Sequence, residues 1–221
     1  MAYTVDRWPD AIHLIGVGGI GTHVLLALIE LGAKEVHVWD DDIVSAHNRP
    51  NQFVYAKGDI GEPKVYGVQQ FVERQGYDVT IVPHAERVAG NTVLEGIVIS
   101  GVDTMSSRKV IWESVSRSAS FIPVYIDGRI GDEYVYVLTI DPCDPLQTER
   151  YQKTLLGDND VRDLSCTTRE NPHAALTVAA TVSTHLTLRL AGEPVKDAVY
   201  RNLKREATPI VQHKPGVTEQ E

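Results

Sequence analysis

Basic residues are outnumbered in this chain of 221 residues: 21 lysines and arginines stand against 30 aspartates and glutamates, a formal net charge of −9. A surface that grips nucleic acid or an anionic bilayer needs the opposite sign, so neither is expected as a partner. Cysteine is scarcer still. The two present, Cys143 and Cys166, form no CxxC pair. That argues against a disulfide framework and rules out a four-cysteine zinc knuckle within one chain, and no zinc is expected. Long apolar runs are missing as well. The richest stretch, HAALTVAATVSTHLTLRLAG, is interrupted by His185 and Arg189 and is not expected to cross a membrane. The opening MAYTVDRWPDAIHLIG has no charged leader and no extended apolar core, so no signal peptide is read and a cytoplasmic location is expected.

What is present is alternation. AIHLIGV reads as a short buried strand, IGTHVLLALIELGA as a helix stopped by Gly32, and EVHVW as a second strand. After a long loop, PKVYGVQQFVERQG reads as a helix with Pro63 in its first turn and Gly76 at its end. DVTIV and GIVIS are strands, SSRKVIWESVSRSA a helix, and FIPVYID and EYVYVLTID further strands. The run YVYVL is expected to be buried on both faces. Residues 141–171 are expected to form a long polar loop, followed by a helix from about 173 to 191. The pattern predicts an α/β fold: a Rossmann-like doubly wound, mostly parallel sheet with an antiparallel extension. One domain over 1–200 and a flexible tail over 201–221 are expected.

The hexapeptide GVGGIG places Gly16, Gly18 and Gly21 in G-x-G-x-x-G spacing, after a strand and before a helix. The first glycine permits the turn, the second (with Gly19 beside it) lets phosphate oxygens approach the backbone, and the third lets the helix sit close on the strand. Asp40 closes the second strand, where an acid accepts hydrogen bonds from ribose hydroxyls. Alone, these features also fit an NAD-dependent oxidoreductase. The next segment does not, because about 20 residues, with Asp42, Asn48, Arg49, Asn51 and Gln52 among them, precede Lys64 at a helix start. A lysine and several amides near a phosphate-binding turn suit a triphosphate. Asp103, just after the GIVIS strand, is placed to hold Mg²⁺ or position the phosphates.

Taken in order, GxGGIG, D-x-D-x-V, N-x-x-x-Q-F, D-I-G-x-P-K and D-x-x-x-x-R resemble the ThiF/MoeB/HesA family, bacterial relatives of the ubiquitin-activating enzymes, from about residue 12 to 192. The resemblance implies use of ATP and Mg²⁺ to adenylate the C-terminal carboxylate of a small β-grasp protein (ubiquitin-like or sulfur-carrier) or a peptide. It also implies a homodimer. By position it assigns phosphate and adenosine contacts to Gly16, Gly18 and Gly21, ribose to Asp40, a loop contact to Asn48, phosphates to Lys64, the metal to Asp103, and no settled role to Arg108. Asn51 stands where the family has an arginine, with Arg49 two residues earlier to offer a guanidinium. A non-catalytic nucleotide-binding scaffold is the alternative that this substitution leaves open. Cys166, in C-T-T-R before Pro172, resembles the family's thioester cysteine, with Arg169 able to favour the thiolate. Packing, or descent from a zinc site, is the other reading of Cys166. Trp8, Trp39 and Trp112 are read as packing residues.

Overall fold

The computed structural model describes residues 8–9, 11–47, 52–131, 134–155 and 172–206. Asn48, Arg49, Asn51, Cys166 and Arg169, and the expected tail from 207 onward, lie outside the described residues.

Two stretches without a polar side chain facing solvent set the centre of the sheet. Strand β1 (Ile12–Ile15) and strand β4 (Ile97–Ser100) are buried along their whole length, as a strand must be when helices cover both faces. They pair in parallel, with Leu14 opposite Ile99. Around them the chain winds outward in both directions. Helix α1 (Gly19–Glu30) leads to β2 (Glu35–Trp39), and α2 (Lys64–Gln75) leads to β3 (Thr80–His84). From β4, helix α3 (Met105–Arg117) leads to β5 (Val124–Gly131). The strand order is β3-β2-β1-β4-β5-β6-β7, parallel through β5. Strands β6 (Tyr134–Ile140) and β7 (Ala198–Asn202) then add antiparallel. This is the doubly wound sheet with an antiparallel extension that the alternation predicts.

Glycines end the first two helices where the sequence places them. Gly32 and Gly76 take φ of 89° and 69°, a region open to a residue without Cβ. Helices α1 and α2 share one face of the sheet with α5 (Pro172–Leu190), over a core that includes Leu14, Val36, Val68, Ile126 and Val178. The other face carries α3 and α4 (Pro145–Gln152) over Val98, Trp112, Tyr125 and Tyr151.

Two expectations are corrected. The stretch from 141 is not one loop, because α4 lies within it. Asp144 accepts from the backbone N–H groups of Leu146 (2.8 Å) and Gln147 (3.3 Å), and Pro145 takes the first helical position. Strand β6 is not buried on both faces. Val135 and Val137 point into the core under α5, whereas Tyr134 and Tyr136 are half-exposed on the opposite side. Tyrosine counts as apolar in a hydropathy scan, but its hydroxyl lets it stand at a wet surface. Beyond β7 the described chain ends in α6 (Leu203–Glu206). Among the described residues no helix is long and apolar enough to cross a membrane.

Candidate nucleotide site

The strand order reverses between β1 and β4, and in such sheets a crevice opens at the carboxyl ends of the strands there. A cavity of about 520 Å³ occupies that position, lined by the ends of β1, β2 and β4, the first turn of α1 and the loops that follow. It gathers Gly16, Gly18, Gly19, Asp40, Asp42, Gln52, Lys64 and Asp103, the described site residues expected from sequence with the exception of Gly21.

Gly21 is missing from the cavity wall because its task is internal. A Cβ there would lie 1.9 Å from the Gly16 carbonyl oxygen. No side chain fits, so α1 can approach β1 only through glycine. Gly16 has φ of 88°, which turns the chain out of β1. Helix α1 is capped by Gly18 without a side-chain bond and has no acid in its first turn. Its leading N–H groups therefore remain available to an anion.

Asp40 is held by two backbone donors, Val17 N–H to Oδ2 and Asp42 N–H to Oδ1, both at 2.9 Å. Burial raises its pKa, and Lys64 opposes that shift. The loop from Asp40 to Lys64 folds back on itself: Val44 N–H donates to Glu62 O (2.8 Å) and Lys64 N–H to Asp42 O (2.9 Å). An ion pair between buried Asp59 and exposed Arg74, and the Tyr55 hydroxyl, which donates to Val17 O at 2.7 Å, pin the loop to α2 and to the glycine turn. This stitching brings the Lys64 ammonium, almost fully buried, to 2.6 Å from Asp42 and 3.8 Å from Asp40. A lysine opening a helix opposes the helix dipole, and Asp42 offsets that. The Gln52 side chain enters the same wall. Its buried Oε1 has no hydrogen-bond partner among the described residues.

Asp103 stands exposed at the rim, between β4 and α3. Arg108 does not reach the cavity. Its guanidinium is buried and donates to the carbonyls of Val102 and Thr104, on either side of Asp103, the latter at 3.2 Å. It also pairs with Asp127 on β5 at 3.2 Å. Asp127 in turn accepts from Arg129 (2.7 Å) and from the Tyr151 hydroxyl (3.0 Å). The D-x-x-x-x-R spacing thus has a physical reason: one turn into α3, the arginine grips the loop that presents the acid.

Trp39 does more than pack, since it lines the cavity floor. Its indole N–H donates to His13 Nδ1 (3.1 Å), and His84 stacks on it at 3.7 Å. Burial, with His37 and His84 nearby, drops the His13 pKa to about 4. His23, Glu86 and Arg87 also line the cavity and were not singled out from sequence. Their signal is positional: one helical turn beyond Gly19, or just past the end of β3. Among the described lining residues, acids outnumber full cations. Asp40, Asp41, Asp42, Glu86 and Asp103 face Lys64 and Arg87, and both cations are paired, Lys64 with Asp42 and Arg87 with Asp41 at 2.8 Å. The carboxylates of Asp40, Asp41 and Asp42 lie within 4.8 Å of one another, a group that excludes Asp103.

Residues 10–207 match the ThiF family profile. The chain belongs to the ThiF family. It is similar to the NEDD8-activating enzyme E1 catalytic subunit of Saccharomyces cerevisiae, at 30% identity over 187 residues, covering 78% of this chain and 61% of that protein. It is 28% identical over 105 residues to the sulfur carrier protein ThiS adenylyltransferase of Escherichia coli, covering 45% of this chain and 42% of the relative. Among solved structures, E. coli MccB with ATP superposes with a TM-score of 0.65 at 15% identity, over 91% of this chain and 66% of that one. That likeness shows the shared fold. In each comparison the chain spans less than two thirds of the relative's length. ThiF-family membership sets aside the NAD-dependent reading of the glycine turn.

Proposed function

We propose that this ThiF-family chain is an ATP-dependent adenylyltransferase that activates the C-terminal carboxylate of a small ubiquitin-like or sulfur-carrier protein, or of a peptide. The observation that carries the reading is the meeting of three elements in one cavity. These are an uncapped α1 N-terminus for phosphate, a buried Asp40 for ribose, and Lys64 brought 3.8 Å from Asp40 by a loop pinned at both ends. The names of two relatives, an activating enzyme and an adenylyltransferase, support the same class.

In this reading the acceptor's carboxylate oxygen attacks the α-phosphorus. The bond from that phosphorus to the bridging oxygen breaks, and pyrophosphate leaves with the electron pair. Lys64 and the α1 N–H groups face the charge that develops on the phosphates. Asp40 fixes the ribose, and the Gln52 carbonyl oxygen, without a partner among the described residues, can accept a hydrogen bond from the nucleotide. Asp103 offers a hard oxygen donor, free of ion pairs among the described residues, and would hold Mg²⁺. When bound, Mg²⁺ would neutralise phosphate charge. Arg49 and Cys166 belong to the proposal through the family resemblance, as a phosphate contact and a thiol acceptor of the acyl group. Asn48 and Asn51 enter in the same way, as loop contacts to the nucleotide. A homodimer in the cytoplasm completes it.

The test is a thermal-shift titration with ATP·Mg²⁺ and, separately, NAD⁺. A ligand at about 100 times its Kd adds roughly 2.7 kcal/mol. Stabilisation by ATP·Mg²⁺ alone, followed by ATP–pyrophosphate exchange with candidate acceptors ending in Gly-Gly, supports adenylation. Nucleotide binding without exchange for any acceptor favours the scaffold alternative. Asp103→Ala is expected to abolish exchange with an unchanged melting curve. Retained exchange removes Asp103 from its role.

A further inference from the structure

Among the described residues, the cavity is short of positive charge for the ligand it is read to hold. The two full cations described there are already paired with acids, and five acids line the same walls. One further group on that wall can carry charge and sits at the anion-binding end of α1. His23 lies one turn after Gly19, on the same helix face, and its Nδ1 is 2.7 Å from the Gly19 carbonyl oxygen. A carbonyl only accepts, so Nδ1 carries the proton. The bond draws the ring back along the helix towards its N-terminus. Phe53 holds the ring from the other side, edge-on at 5.0 Å. Phe53 directly follows Gln52, whose side-chain nitrogen lies 3.9 Å from the Cβ position of Gly18. The imidazole is therefore fixed between the helix that offers N–H groups to phosphate and the loop that carries Gln52 over the glycine turn. With Nδ1 committed, Nε2 is the ring's remaining polar atom. In the imidazolium it is a charged donor.

We propose that His23 is a ligand for the terminal phosphates of the nucleotide and for the pyrophosphate that departs, acting through Nε2–H of its imidazolium. This rests on the adenylation reading and adds to it a cation that the expected site residues did not contain. The proton stays on the ring throughout: Nε2–H donates to a phosphate oxygen, and the electron pair of the broken bond goes to the leaving group. Charged and titratable groups that share the cavity with His23 are Asp40, Asp41, Asp42 and His47 beyond β2, Lys64 on α2, Glu86 and Arg87 beyond β3, and Asp103 beyond β4. From α5 the lining residues are Pro172 and Ala175, which carry no charge.

Three probes separate this inference from the reading beneath it: ATP·Mg²⁺, inorganic pyrophosphate and AMP, each titrated by calorimetry. His23→Asn keeps an amide able to donate to Gly19 O and lacks an atom at Nε2. It is expected to weaken ATP and pyrophosphate by about tenfold and leave AMP within about twofold. His23→Gln, with a neutral donor at the corresponding reach, is expected to recover part of the loss. Equal loss of AMP and ATP, or no loss of either with a melting temperature matching the unsubstituted chain, overturns the role of His23 alone. Failure of the unsubstituted chain to bind either nucleotide overturns the adenylation reading with it. Were His23→Asn not to fold, the comparison of His23→Gln with the unsubstituted chain against pyrophosphate and AMP decides the question.

Discussion

Two clusters of opposite charge sit within this domain, and they are built to different ends. In the cavity, Lys64 answers Asp42 and Asp40, and Arg87 answers Asp41, with much of Asp42 and Arg87 open to water. Beneath the rim, Asp127 is sealed between Arg108, Arg129 and Tyr151, and Arg129 continues to the carbonyl and hydroxyl oxygens of Thr154 at 3.2 and 3.0 Å. The sealed cluster has its hydrogen bonds satisfied and holds β5, α3 and the end of α4 together. The open cluster leaves donors and acceptors that a ligand can take over. Burial with full pairing marks a charge used by the fold. Burial beside an open wall, in the proposed function, marks one held for the ligand.

The same amide substitution should separate the two. Asp127→Asn leaves two buried guanidinium groups against a neutral partner, and a loss of about 3–5 kcal/mol is expected in chemical denaturation. A loss within experimental error would mean that the sealed cluster is not what ties these elements together. Next in size comes acid. His13, beside the open cluster through Trp39, has a folded pKa near 4 against 6.5 unfolded. The unfolded chain therefore binds the extra proton between those values, and stability present above pH 6.5 falls as pH drops to about 4, by roughly 3 kcal/mol. Urea midpoints across that range, with His13→Gln lacking the slope, would check this. Lys64→Met should cost less stability than either, because its closest partner Asp42 is open to water and can be solvated when left alone, and should still reduce ATP affinity about tenfold or more. The smallest stability effect is expected for Asp40→Asn. The change relieves the burial of charge that raises the Asp40 pKa but leaves one of its two backbone donors facing an amide NH2, and the two effects should offset to within about 1 kcal/mol while nucleotide binding weakens. A large destabilisation in both Asp40→Asn and Asp127→Asn would erase the distinction.

The open half of the site was legible in the sequence and the sealed half was not. Gly16, Gly21, Asp40 and Lys64 follow from local demands: a turn with positive φ, a helix against a strand, an acid at a strand end, a cation at a helix start. Such demands act within a few residues, so they write themselves into spacing. Arg108 is marked by its spacing from Asp103, but its meeting with Asp127, Arg129 and Tyr151, from β5 and α4, depends on the register of β5, which no local pattern records. The missed α4 had a readable signal in Asp144 followed by Pro145, hidden by the polarity of the stretch. Strand β6 was misjudged because its tyrosines alternate with valines and look equally apolar.

The glycine turn bears on how this protein can change over generations. At Gly21 any Cβ collides with the Gly16 carbonyl oxygen, whereas at Gly19 there is no atom within 4 Å of where a Cβ would be. The fold itself forbids replacement of Gly21, with or without a nucleotide. Replacement of Gly19 leaves the fold room and intrudes on the ligand's space instead. If the proposed nucleotide were given up, a lineage could drift at Gly19 yet stay fixed at Gly21, so the two positions together would record whether a descendant still binds one.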